Sequence, residues 1–183
     1  FADLDGDGDL DAVVGEADGT LNYFENTGTA AAAVFMQRTG AANPFDGLTA
    51  NGRSNPVLAD VDGDGDIDLV SGNVFGQLEY FENTGSADAP VFIQRTGAAN
   101  PFDGVDVGYV SAPDFADMDG DGDLDIVIGD DIGRLGYVEN TTPPPGRTIT
   151  VNVSSQNDAP TASGLPTDVT VTEDVASNLD LSA

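Results

Sequence analysis

The chain has 183 residues and a mass of 18.7 kDa, enough for one domain with a real core or a domain with an appendage. It carries 33 acidic residues against five arginines, a formal charge of -28, and no Lys, His, Cys or Trp, which removes thiol and imidazole catalysis, Cys/His zinc sites, disulfides and lysine Schiff bases. So acidic a surface repels nucleic acid and anionic membranes, which are bound through clustered Lys and Arg, and no apolar run approaches the length of a membrane span.

The first element is an acidic nonapeptide, Asp3-Leu4-Asp5-Gly6-Asp7-Gly8-Asp9-Leu10-Asp11. It returns 57 residues later as Asp60 to Asp68 and again as Asp117 to Asp125. Five Asp in each copy make 15 of the 33 acidic residues, so nearly half the acidity belongs to three short segments. Carboxylates on alternate residues repel one another at neutral pH, and a fold that keeps them together needs a cation. Three divalent ions would bring the charge from -28 to -22, still a well-solvated surface.

The oxygen spacing fits the first half of an EF-hand loop, in which side chains at positions 1, 3 and 5 and the carbonyl of position 7 ligate, with Gly at position 6. Asp3, Asp5 and Asp7 take positions 1, 3 and 5, Gly8 position 6, Asp9 offers its carbonyl, and Asp11 is position 9. The second copy gives Asp60, Asp62, Asp64, Asp66 and Asp68 around Gly65, and the third Asp117, Asp119, Asp121, Asp123 and Asp125 around Gly122. A true EF-hand has Glu at position 12 between helices; here that position is Val14, Ser71 or Ile128 inside an apolar run, so the EF-hand is rejected and position 9 must ligate directly. Carboxylate-only donors favour a hard ion, and calcium over magnesium because magnesium prefers a smaller shell with retained waters. About three calcium ions are expected, one per repeat, with a structural rather than a signalling role.

The residues after each loop also repeat. Leu10 to Gly15 matches Ile67 to Gly72 and Leu124 to Gly129; Gly19 to Thr27 matches Gly76 to Thr84 and Gly133 to Thr141; Val34 to Gly47 returns as Val91 to Gly104. Short runs of Val, Ile, Phe and Tyr bounded by Gly, Asn, Asp and Pro read as strands. One unit supplies an entering strand (Pro56 to Asp60 or Pro113 to Asp117), a buried strand after the loop, a third near Gln77 to Glu82 and a fourth near Pro90 to Arg95. The imperfect alternation of Leu78, Glu79, Tyr80 and Phe81 suits a strand buried on one face and partly covered on the other. Tyr23, Tyr80 and Tyr137 share one repeat position and are expected in the core; Arg38 and Arg95 share another and are expected to pair with local acids.

The expected fold is all-β: three tandem 57-residue, four-stranded blade-like repeats, as a partial β-propeller or a rod-like array, with an extended C-terminal β tail. The repeats span 1–141, divided 1–56, 57–113 and 114–141, with repeat 1 lacking most of its entering strand and repeat 3 its fourth. A Pro-rich linker covers 142–147. The alternating segment 148–156 is expected to supply the missing strand of repeat 3, and 157–183 reads as an extended tail or the start of another domain. Phe1 stands within a repeat without an initiator Met, as expected of a processed or partial chain.

The Asp-x-Asp-Gly-Asp-Gly-Asp-x-Asp loop, its following Val/Ile run and the Gly-x-Leu-x-Tyr-Phe-Glu-Asn-Thr-Gly segment resemble the FG-GAP/VCBS repeats, akin to the blades of integrin α-subunit propellers. The resemblance covers residues 1 to about 141. It implies calcium-stabilised blades in extracellular, secreted or cell-surface proteins that adhere or recognise ligands, with the metal positions on the Asp residues just given. The Asn157-Asp158-Ala159-Pro160 junction and the strand after it are similar to the entry of a cadherin-like or immunoglobulin-like domain of large bacterial adhesins.

The function expected is a non-enzymatic structural or adhesive module, self-associating head-to-tail by strand addition or packing on neighbouring domains of a longer parent. The alternative is a propeller fragment that recognises glycan or protein through loops such as Asn43 to Pro56 and Asn100 to Pro113. An enzyme using paired carboxylates has little to work with, since the carboxylates have ligand duty and no His, Lys or Cys base exists. Neither nucleic acid nor membrane insertion is expected.

Overall fold

The computed structural model describes residues 1–120 and 122–140. The expected strand at 148–156, the linker at 142–147, the segment 157–183 and Asp121 lie outside the described residues.

Among the described residues, ten strands form three antiparallel sheets, one per repeat. Repeat 1 holds β1 (Ala12–Gly15), β2 (Leu21–Asn26) and β3 (Phe35–Arg38) in that spatial order. Repeat 2 holds the full set, β4 (Asn55–Ala59), β5 (Asp68–Gly72), β6 (Leu78–Asn83) and β7 (Phe92–Arg95). Repeat 3 holds β8 (Ser111–Ala116), β9 (Asp125–Asp130) and β10 (Leu135–Val138). The entering strand of repeat 1 is reduced to a bridge between Ala2 and Asp11. The only helical elements among the described residues are the 3-10 turns Gly40–Ala42 and Gly97–Ala99, at the same point of two repeats.

Register is the same in every repeat. Tyr23 pairs with Val13, Tyr80 with Val70 and Tyr137 with Val127 across the strands that flank each post-loop hairpin. Each loop therefore joins the entering strand of a sheet to its neighbour, as Ala59 to Asp68 in repeat 2 and Ala116 to Asp125 in repeat 3.

Successive repeats pack face to face through two apolar clusters. The first joins Leu4, Leu21, Tyr23 and Phe45 of repeat 1 to Leu69, Phe81 and Phe92 of repeat 2. The second joins Val70, Leu78, Tyr80 and Phe102 of repeat 2 to Ile126 and Ile128 of repeat 3. Phe45 stacks on Phe92 with ring centroids 4.5 Å apart, and Phe102 meets Tyr80 edge-on at 6.2 Å. Phe45 and Phe102 come from the stretches that link one repeat to the next, so each stretch is anchored in the core between sheets by its Phe.

Two expectations change here. Leu78, Glu79, Tyr80 and Phe81 are all buried, so β6 is covered on both faces, because it lies between two other repeats. Tyr23 and Tyr80 are core residues as expected, but Tyr137 is half exposed. Its neighbour behaves alike: Leu135 is 76% exposed where its counterpart Leu78 is 4%. Leu78 is covered by repeat 3 and the linker Phe102, and no such cover lies on β10 among the described residues.

A polar tie reinforces each junction. The Ser54 amide donates to the Glu16 carbonyl at 3.0 Å, while the Ser54 hydroxyl accepts from the Glu16 amide at 2.9 Å and donates to the Thr20 carbonyl at 3.0 Å. Ser111 repeats this against Asn73 and Gln77. Gly15 and Gly72 face the Ser54 and Ser111 carbonyls with no room for a Cβ, which is why the repeats carry Gly there.

Candidate metal centres

Each Asp loop is folded by its own carboxylates. Asp3 accepts the amides of Gly6 at 2.8 Å and Gly8 at 2.9 Å through separate oxygens, and Asp60 does the same for Gly63 and Gly65 at 2.8 and 3.1 Å. Asp7 accepts the Asp9 amide and Asp64 the Asp66 amide, each at 2.9 Å. In the third loop the Asp117 carboxylate accepts the Gly120 amide at 2.7 Å. The chain turns back at Gly8, Gly65 and Gly122, with φ of 91°, 96° and 98°, a conformation L side chains rarely adopt.

The last Asp of each loop leads into the next strand and is held from three sides. Asp11 accepts the Asn26 amide at 2.8 Å on one oxygen, and the Tyr23 hydroxyl at 2.8 Å and the Leu4 amide at 3.1 Å on the other. Asp68 is bound in the same way by Asn83, Tyr80 and Val61 at 2.7, 2.9 and 3.2 Å, and Asp125 by Asn140, Tyr137 and Met118 at 2.9, 3.2 and 3.0 Å. Asp11, Asp68 and Asp125 are 1% exposed. A carboxylate has about four lone-pair sites. The three donors just named take up three of them, and Asp11 and Asp68 so held bring an oxygen to the other carboxylates of their loops.

The result is two carboxylate triads. Oxygens of Asp3, Asp5 and Asp11 lie within 4.8 Å of one another, and so do those of Asp60, Asp62 and Asp68. Oxygens on opposite sides of a calcium ion, each about 2.3–2.6 Å from it, stand roughly 4.6–5.2 Å apart, so this spread is what one shared hard ion allows. The donors are all oxygen, which suits such an ion and no soft metal. Asp7 and Asp64, and Asp9 and Asp66, stand outside the triads, with the Asp7 and Asp64 carboxylates accepting the Asp9 and Asp66 amides. In the third loop Asp125 is wired like Asp11 and Asp68.

The electrostatics point the same way. Burial, the largest cause, raises the pKa of Asp5 and of Asp62 above the ordinary carboxylate value, with the neighbouring loop carboxylates adding to it. Burial pushes the Asp68 carboxyl up to about 6 against the opposing hydrogen bonds from Asn83 and Tyr80. A divalent ion within the triad would favour the charged forms of all three. The Tyr23 and Tyr80 hydroxyls are pushed far up, chiefly by burial and by the carboxylates they bind, so they remain donors at any ordinary pH.

The hydroxyls of Tyr23, Tyr80 and Tyr137 and the backbone amides of Asn26, Asn83 and Asn140 hold the final Asp of each loop, a role that a core reading of the sequence misses. The signal was present in their constant offsets of 12 and 15 residues from Asp11, Asp68 and Asp125. The expected arginine pairs are present: Arg38 donates to Glu25 and Arg95 to Glu82, each through Nε at 2.7 Å. They brace β3 on β2 and β7 on β6.

Among the described residues no helix is long and apolar enough to cross a membrane. The family model for the FG-GAP-like repeat matches residues 3–71 and again residues 60–128. Each match opens on the first Asp of a loop and runs through the next loop, and the two matches begin 57 residues apart, the spacing of the loops themselves. No curated protein and no solved structure matches the chain. Since the two matches together span well over half of it, the chain belongs to the FG-GAP-like repeat family.

Proposed function

We propose that this chain is a non-enzymatic, calcium-stabilised β-repeat module of an extracellular structural or adhesive protein. The observation that carries the reading is the triad of Asp60, Asp62 and Asp68, repeated as Asp3, Asp5 and Asp11, with the same hydrogen bonds behind each final Asp. Asp3, Asp5, Asp7 and Asp11 would ligate by side chain and Asp9 by its carbonyl. Asp60, Asp62, Asp64, Asp66 and Asp68 would do so in repeat 2, and Asp117, Asp119, Asp121, Asp123 and Asp125 in repeat 3. Family membership supports a structural or binding role, since FG-GAP-like repeats are generally modules of that kind and occur in extracellular proteins. Isothermal titration of the chelator-treated chain with calcium tests this: about three sites support it, and no heat refutes it.

The finer reading is head-to-tail association. Phe35 is 47% exposed on repeat 1 where its counterpart Phe92, stacked by Phe45, is 6% exposed, and Leu135 and Tyr137 stand open on repeat 3. These two faces are the halves of the junction that the chain already makes twice, so repeat 3 of one copy would take repeat 1 of the next. Light scattering in millimolar calcium tests it, and a monomer at high concentration removes it.

Recognition of a glycan or protein remains the second reading. It is favoured by a polar cleft in which Asn51, Gln77, Gln94 and Asn100 converge beside Arg95. Its test is a glycan array screened with the chain and with a Gln94→Ala variant. Binding by the first and not the second supports the cleft.

A further inference from the structure

The first Asp loop is a junction element as well as a turn. Leu4, its second residue, is buried in the cluster formed with Leu69, Phe81 and Phe92 of repeat 2. The corresponding Val61 packs against the cluster that contains Ile126 and Ile128 of repeat 3. Each of these two loops is thus rooted in the next repeat along the chain.

A carboxylate from that next repeat also reaches the first loop. Asp88 sits in the hairpin between β6 and β7, whose tip is closed by paired backbone hydrogen bonds of Ser86 and Ala89 at 3.1 and 3.3 Å. A Cβ on Gly6 would overlap the Asp88 carboxylate, so this side chain lies on the backbone between Asp5 and Asp7. The ion pairs of the described residues lie elsewhere, on Arg38, Arg95 and Arg134. A sixth negative charge set against five is unfavourable unless a cation lies between them.

Resting on the calcium reading of the loops, we propose that Asp88 of repeat 2 is an outer-sphere ligand of the ion held by Asp3, Asp5 and Asp11 of repeat 1. Asp88 is outside the triad whose oxygens gather within 4.8 Å. In the proposed arrangement it accepts a hydrogen bond from a water of the ion's shell. Calcium at this loop then locks repeat 1 to repeat 2 in addition to cancelling the loop's own repulsion. Asp88 is a positioning residue for the junction, and the matching hairpin position in repeat 1 is Ala31.

The test compares the full chain with Asp88→Asn, which keeps the shape and removes the charge. Asp103→Asn makes the same charge change at an exposed position of the linker and serves as control. Calcium chloride titration by calorimetry and hydrogen exchange of the Ser86 and Ala89 amides are read together. We expect Asp88→Asn to weaken one site roughly tenfold, as loss of an outer-sphere partner does, and to lose calcium-induced slowing at these two amides. Asp103→Asn should match the parent chain. Asp88→Asn behaving like the parent chain, or Asp103→Asn weakening calcium as much, would overturn the proposal while leaving the calcium reading intact. A parent chain that takes up no calcium overturns both.

Discussion

The Tyr80 hydroxyl donates to Oδ2 of Asp68 at 2.9 Å, and both side chains are buried. The pair recurs as Tyr23 with Asp11 at 2.8 Å and as Tyr137 with Asp125 at 3.2 Å. The tyrosine thus joins the two tasks of a repeat. In repeats 1 and 2 its ring belongs to the inter-repeat core, and in all three its hydroxyl aims the final carboxylate of the Asp loop.

Removing that hydroxyl separates the tasks. Tyr80→Phe keeps the ring and leaves a buried carboxylate one donor short, at a cost of about 1.5–3 kcal/mol for a hydrogen bond to a charged group. Urea unfolding in calcium should show this loss, and the same substitution at half-exposed Tyr137 should cost less.

The Phe45–Phe92 stack should carry much of the first junction. Phe45→Ala is expected to destabilise the chain by about 3–5 kcal/mol, the range for a buried aromatic. Phe35→Ala removes a ring that is half exposed and should cost well under that. Chemical denaturation of the two variants checks the contrast.

Backbone conformation alone is at stake at Gly65. Its φ is 96° and a Cβ there would meet nothing within 4 Å, so Gly65→Ala tests strain without a clash. The expected cost is about 1–2 kcal/mol, taken from the penalty of a left-handed L-residue, together with weaker calcium binding in calorimetry.

Acidity provides a sign test. In chelator, Asp68 titrates near 6 in the folded chain, above the ordinary carboxylate value of 3.8, because burial disfavours its charge. The folded form therefore binds more protons than the unfolded one across that window, and stability from this group falls as pH rises from about 4 to about 6. In the proposed calcium site the charged carboxylate would be the ligand, so apparent calcium affinity should rise across the same window. Thermal midpoints and titrations at pH values of about 4.5 and 7 check the two opposite slopes.

Much of the fold was readable from the repeat itself. Aligning the three loops placed the strands to within a residue or two, because Val, Ile, Phe and Tyr runs bounded by Gly, Asn and Pro leave little choice of boundary. The Asp positions were legible because so many adjacent carboxylates need a reason. The role of Tyr80 was hidden because an aromatic residue in a β run has a sufficient explanation as core, and only the fold brings its hydroxyl back over twelve residues to Asp68. The burial of β6 on both faces was hidden for a related reason: its second cover comes from other repeats, and strand periodicity reports on one sheet at a time. The approach of Asp88 to Gly6 spans two repeats and left no local signal.

The proposal that calcium held by the Asp loops stabilises the repeats is tested most directly by thermal unfolding in millimolar calcium and in excess chelator, with magnesium held constant. A ligand that binds only the folded state at a hundred times its Kd adds about 2.7 kcal/mol per site, so the midpoint should rise by many degrees in calcium and return on chelation. Superimposable curves in calcium and chelator would contradict the account.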